Sequence, residues 1–262
     1  MNKPDIEQRP SPEQVARAFL RPRPPTEPRS PLPEGGESLH ITTPEGEVAL
    51  QRTGTGPVVL LLHGWEGHVS DLAAFVPPLL AAGLSVVAMH LPAHGESPGR
   101  QTSIPQSARA LLAVGESIGP FAGVIAHSIG SAVLVEALNA GLVAQRVVMI
   151  SAPARYERYA RGAAAAAGLD AEGTEEFLAV LSHTMQADIR EVSLPQRAPL
   201  RHEPALFVHS SDDRVVSIED SLASAAAWPG ARHQRVEGLG HRRILGDASV
   251  VAPVVAFVAA GV

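Results

Sequence analysis

A serine stands at the centre of Ala126-His127-Ser128-Ile129-Gly130, with the apolar run 121–126 before it and the helix-periodic stretch 129–142 after it. Small residues two positions to either side permit a turn so tight that larger side chains would strike the crossing backbone. A turn of this kind, between a strand and a helix, strains its central residue. It lifts the hydroxyl out of the sheet and sets it beside the first amides of the helix. The plainer reading is a serine that only caps the helix; the strand before it and the helix after it favour the strained turn.

The rest of the chain alternates in the same way. Segments 39–42 and 48–52, separated by Pro44-Glu45-Gly46, read as a hairpin. Val58–Leu62, Ser85–Met89, 121–126, Val147–Ile150 and 205–208 read as buried strands, and 233–237 as a further candidate. Segments 71–82, Ile104–Ile118, 132–140 and Ile218–Ala227 read as helices. The helix over 71–82 is opened by an Asp cap and broken or kinked by Pro77-Pro78. Segment 248–262 is a final helix on the sheet, with Pro253 in its first turn or at a kink. The expected fold class is α/β, a doubly wound, mostly parallel sheet with flanking helices.

Two segments depart from the alternation. Residues 1–37 hold nine of the 23 prolines and read as an N-terminal arm, with one short helix over 14–20 turning Val15 and Phe19 inward. Residues 152–200 show no buried strand between two central ones. They read as a short helical lid over the carboxyl edge of the sheet, inserted in a domain spanning 38–262.

The hydroxyl of Ser128 needs a base and an acid that orients the base. His241, in Gly238-Leu239-Gly240-His241 past the last strand, is placed to swing over the turn. Asp213, in His209-Ser210-Ser211-Asp212-Asp213-Arg214, is the preferred acid, and adjacent Asp212 competes with it. The two carboxylates point to opposite sides if the strand continues, so only one can serve. In His63-Gly64-Trp65, Gly64 permits a turn that aims the Trp65 amide at a substrate carbonyl. With the Ile129 amide it forms an expected oxyanion hole. Trp65 is also a candidate pocket wall. His63 reads as a loop brace and His127 as structural. His68, His90 and His94 gather at the same sheet edge, but their spacing lacks a helical metal-ligand pattern.

These residues narrow the class of protein. A net charge of −6 argues against nucleic-acid binding. No cysteine is present, which removes disulfides, thiolate metal sites and a cysteine nucleophile, and suits the cytoplasm. No apolar stretch reaches the roughly 20 residues of a membrane span, and residues 1–30 lack the apolar core of a secretory signal.

Taken together, His63-Gly64-Trp65, Leu91-Pro92-Ala93-His94-Gly95-Glu96-Ser97, the turn at Ser128, Asp213-Arg214-Val215-Val216 and Gly240-His241 resemble the α/β-hydrolase superfamily. The chain is similar to bacterial serine esterases and lysophospholipase-like hydrolases. The resemblance implies a serine hydrolase that cleaves a small to medium carboxylic ester through an acyl-enzyme, with no cofactor and no metal. Thioester, amide or carbon–carbon cleavage, acyl transfer to an alcohol or amine, and non-catalytic binding of a small ligand remain open on the same frame. Ala126 replaces a usual glycine. His90 stands where relatives often carry aspartate, which bears on the hydrogen bonding of the 91–97 loop. Ser217 stands where proline often follows.

Overall fold

Strands without alternation need cover on both faces. In the computed structural model, which describes residues 10–23, 32 and 36–261, eight strands form one sheet. They are β1 (Glu37–Thr43), β2 (Gly46–Thr53), β3 (Val58–Leu62), β4 (Ser85–Met89), β5 (Gly123–His127), β6 (Val147–Ile150), β7 (Ala205–Ser210) and β8 (Arg232–Val236). Their order is β1-β2-β4-β3-β5-β6-β7-β8. β1 pairs antiparallel with β2, and β2 with β4; the other pairs are parallel. The fold is the doubly wound, mostly parallel α/β sheet that the alternation predicts.

The helices are α1 (Pro12–Phe19), α2 (Val76–Ala81), α3 (Ile104–Ile118), α4 (Ile129–Asn139), α5 (Tyr156–Ala166), α6 (Ala171–Met185), α7 (Leu194–Arg197), α8 (Ile218–Ala227), α9 (Gly240–Arg243) and α10 (Ala248–Ala259). Successive strand residues feed two separate cores. Leu60, Leu62, Val87, Met89 and Val124 pack on one face with residues of α3 and α4. Val59, Leu61, Val86, Ala88 and Ile125 pack on the other with residues of α2 and α10. Period two along a strand sends neighbours to opposite faces, and here both faces are apolar.

Three expectations need correction. The segment 71–82 is divided, as its prolines imply, but it does not open on an Asp cap. Val69–Phe75 is a 3₁₀ helix whose cap is His68, and α2 begins only at Val76. Pro77 and Pro78 explain the division, because the first turn of a helix is the one place that needs no N–H. β5 lies two residues later at its start than the run 121–126, since Phe121 makes only an isolated bridge to Ala144. Pro253 sits inside α10 and not in its first turn. It cannot donate to the Ser249 carbonyl four residues back, and the Gln234 side chain of β8 donates there instead, at 3.2 Å.

Residues 152–200, between β6 and β7, fold as α5, α6, α7 and a 3₁₀ turn. Of residues 1–37, only 10–23, 32, 36 and 37 are among those described; they include α1, over the predicted short helix. The remainder of the expected arm lies outside the described residues. No helix among the described residues is long and apolar enough to cross a membrane.

Candidate active site

The carboxyl ends of β3, β5, β7 and β8 lead into the loops that carry the predicted residues. Ser128 sits between β5 and α4 with φ 53° and ψ −126°. A non-glycine residue at positive φ is strained and persists only where its surroundings fix it. Here the Ser128 amide donates to the Ile150 carbonyl at 2.8 Å, and the Ser131 amide to the Ser128 carbonyl at 2.9 Å. Gly130 is the true space constraint of the turn. A Cβ there would lie 2.6 Å from the His63 carbonyl oxygen and 2.9 Å from that of Leu62. Ala126 is fully buried within β5, so its methyl is accommodated there.

The Ser128 hydroxyl lies 3.1 Å from Nε2 of His241, and Nδ1 of His241 lies 2.7 Å from Oδ2 of Asp213. The Asp213 side chain is fully buried and that of His241 is 12% exposed, so the imidazole keeps access to the site. Asp213 receives more than one donor. Its Oδ1 accepts the amides of Val215 and Val216 at 2.8 and 3.0 Å, and Nε2 of His209 stands 3.4 Å from Oδ2. Burial alone would raise its pKa. The donors His209, His241, Val216 and Val215 outweigh burial and hold the carboxyl far below the usual carboxylate range.

Asp212 goes elsewhere. Its Oδ1 accepts the Ser210 hydroxyl and the Gly240 amide, the latter at 3.1 Å. It therefore ties the loop of His241 to the end of β7 without touching the ring. The segment is a turn, closed by the Asp213 amide on the Ser210 carbonyl at 3.1 Å. Strand alternation thus does not separate the two carboxylates; the turn does. His241 likewise lies in the short helix α9 and not on an open loop.

Trp65 lies in a turn closed by the Gly67 amide on the Gly64 carbonyl at 3.0 Å, with Glu66 at φ 53°. Among the described residues, neither the Trp65 nor the Ile129 amide donates to a protein acceptor. The loop is braced by histidines. Nδ1 of His63 donates to the Gly64 carbonyl at 2.8 Å and its Nε2 accepts the Leu91 amide at 3.1 Å. Nδ1 of His94 donates to the Pro92 carbonyl at 3.0 Å and its Nε2 accepts the Glu66 amide at 3.1 Å. His63 is thus a brace, as its position suggested. Protonation would turn a second N–H of each ring onto an amide N–H. Burial, chiefly, holds both pKa values below the ordinary histidine value.

His127 does more than fill space. Its Nε2 donates to the His241 carbonyl at 2.9 Å, and the two rings are 4.7 Å apart. Burial, with His241 close by, pushes its pKa down to about 3, so it holds the His241 backbone without placing a second positive charge beside the ring. His90 gives the 91–97 loop no side-chain hydrogen bond: both its ring nitrogens are buried without a partner among the described residues. The loop is instead tied by the Ser97 hydroxyl, which donates to the His90 carbonyl at 2.7 Å and accepts the Ala49 amide at 2.9 Å. Burial pushes His90 down to about 4, with His68 and His94 adding to the effect. No group of metal-ligating side chains is present among the described residues.

The lowered histidines carry a consequence for stability. Between pH 6.5 and about 4 the unfolded chain binds protons at His90 and His127 that the folded chain does not. Stability is then expected to fall as pH drops through that window, by up to about 1.4 kcal/mol per pH unit for each histidine. Chemical denaturation at several pH values checks this, and His90→Phe is expected to give a shallower decline.

A cavity of about 390 Å³ opens over Ser128 and His241. Trp65 and Ile129 line it, as do Phe19, Pro153, Tyr156, Tyr159 and Val215. Trp65 is therefore at the wall where the sequence placed it. Tyr156, Tyr159 and His209 escaped the sequence reading. His209, four residues before Asp213 at the end of β7, offered a spacing signal; the tyrosines arrive through tertiary packing and offered none.

A profile of the Alpha/beta hydrolase family matches residues 59–256. No curated protein matches the chain. Among solved structures it is similar to an esterase of Pyrococcus furiosus (19% identity, TM-score 0.68, covering 91% of this chain and 95% of that one). It is also similar to a thermophilic esterase of Thermogutta terrifontis (17%, 0.66, 86% and 99%). An esterase of Exiguobacterium antarcticum is a third (16%, 0.66, 85% and 99%). At these identities the likeness concerns the fold. The chain belongs to the alpha/beta hydrolase family.

Proposed function

We propose that this chain is a serine hydrolase acting on small to medium carboxylic esters, with Ser128 as nucleophile, His241 as base and Asp213 as orienting acid. The observation that carries it is the continuous relay from Ser128 Oγ through His241 to Asp213, at 3.1 and 2.7 Å, opening on an apolar cavity.

The reaction runs in two halves. Oγ of Ser128 bonds to the ester carbonyl carbon while its proton passes to Nε2 of His241. The carbonyl π pair moves to oxygen, and the amides of Trp65 and Ile129 stabilise that charge. Collapse breaks the bond to the alcohol oxygen, which leaves with the proton from Nε2. Water then attacks the acyl-enzyme, giving its proton to Nε2, and the acid departs as Ser128 recovers it. Asp213 holds the proton of Nδ1 in place throughout and stabilises the transient imidazolium. Segment 152–200 serves as the lid, supplying Pro153 from its lead-in and Tyr156 and Tyr159 from α5 to the apolar wall. No step calls for a metal or a cofactor. Transfer to an alcohol in place of water would use the same residues.

Turnover of p-nitrophenyl esters and acyl-CoA thioesters of graded length, with product analysis in the presence of competing alcohols, tests this reading. Free acid as the main product from oxygen esters supports it. Mixed esters as the main product would reassign the chain to acyl transfer, and the absence of turnover in folded protein would leave ligand binding.

A further inference from the structure

We propose that α1 is a built wall of the substrate cavity and that Phe19 sets how long an apolar chain the cavity admits. This rests on the ester-hydrolase reading and adds a determinant of its substrate range.

Local sequence makes α1 a defined helix. Ser11 and Gln14 form a reciprocal cap, and Pro12 occupies the first turn. Val15, Ala16 and Leu20 are buried and anchor the helix to α5 and α6. Phe19 is only partly buried. Its ring stands edge-on to Phe177 at 5.9 Å and tilted to Tyr156 at 5.5 Å, and it reaches the cavity that holds Ser128 and His241. Phe19 thus packs against the core on one side and turns the rest of its ring to the cavity.

The chain on either side of Phe19 is tied to the body of the domain. The Gln101 side chain donates to the Arg17 carbonyl at 3.1 Å, and the Thr102 amide to the Leu20 carbonyl at 2.9 Å. Arg23 then meets Glu66 through its amide at 3.1 Å and its guanidinium at 2.9 and 3.2 Å. Glu66 directly follows Trp65. The arm therefore runs from α6 across the cavity rim to the loop that carries the Trp65 amide, which fixes the Phe19 ring between two parts of the site.

Truncating this ring opens the cavity by the volume of a phenyl group, and enlarging it closes the same end. Differences of a few methylenes in an apolar pocket change kcat/KM by about 10-fold or more. The kcat/KM ratio for p-nitrophenyl laurate over butyrate is expected to rise about 10-fold in Phe19→Ala and to fall by a similar factor in Phe19→Trp. A ratio of two substrates on one preparation is independent of the fraction folded. Calorimetric titration with free laurate and butyrate reads the same preference without turnover. Unchanged ratios and unchanged relative affinities in both variants would overturn the wall. Failure of a fluorophosphonate to label Ser128 would overturn the hydrolase reading instead, and the titrations would still decide the role of Phe19.

Discussion

His241→Ala is expected to abolish acylation, lowering kcat by about 10⁵- to 10⁶-fold, as loss of the base does where nucleophile and base act as a unit. Without the imidazole nothing within reach accepts the Ser128 proton: the Oγ–Nε2 contact at 3.1 Å is the one that the hydroxyl makes among the described residues. His127 cannot substitute. Its Nε2 is committed to the His241 carbonyl, and its pKa near 3 makes it a poor acceptor at neutral pH. His63→Ala is the informative contrast. That ring also stands at the carboxyl edge of the sheet, but it braces the loop of Trp65 through Gly64 and Leu91. Its loss leaves the buried Leu91 amide unpaired, which costs about 1–3 kcal/mol of stability, with activity reduced but measurable. Acylation rates measured on folded protein separate the two variants; equal behaviour would remove His241 from its role.

The second large effect is expected at the acid. Asp213→Asn should lower kcat by about 10⁴-fold, the scale known for this exchange in serine triads. Asp213 accepts from both sides, with the Val215 and Val216 amides on Oδ1 and His241 on Oδ2. An asparagine has one acceptor oxygen, and the two backbone amides can only donate. The amide oxygen therefore stays with them, and the NH₂ group faces His241 Nδ1. That ring must then carry its proton on Nε2, where it faces Ser128 and cannot accept. Asp212→Asn keeps its acceptor for Ser210 and Gly240 at an exposed position, and should change turnover by no more than about twofold. The reverse ranking would move the acid to Asp212.

Much of this was legible in the residues themselves. β3, β4, β6, α3 and α8 fall at the bounds that their apolar runs and punctuating residues predict, because a buried strand or a capped helix is set by local composition. The turn at Ser128 was legible because the close approach of the Leu62 and His63 carbonyls, although a tertiary contact, leaves its mark in the sequence as a glycine at position 130. Asp213 was preferred over Asp212 on the sequence, but the geometry that separates them was not legible, since it depends on which way one turn sends each carboxylate. The aromatic wall was also hidden. Phe19 and Tyr156 are 137 positions apart in the chain, yet their rings are neighbours, and no period or spacing records that contact. The histidines were legible in part: His63 and His127 read as structural from their positions, whereas the bonds by which His94 and His127 brace their neighbours arise only in the tertiary structure.

Reaction with a fluorophosphonate, read by mass spectrometry of the modified peptide, bears most directly on the relay. One adduct is expected, on Ser128, forming at a rate that falls sharply in His241→Ala and absent in Ser128→Ala. Folded protein that takes up no label, or takes it up equally well without the His241 ring, would contradict the assignment.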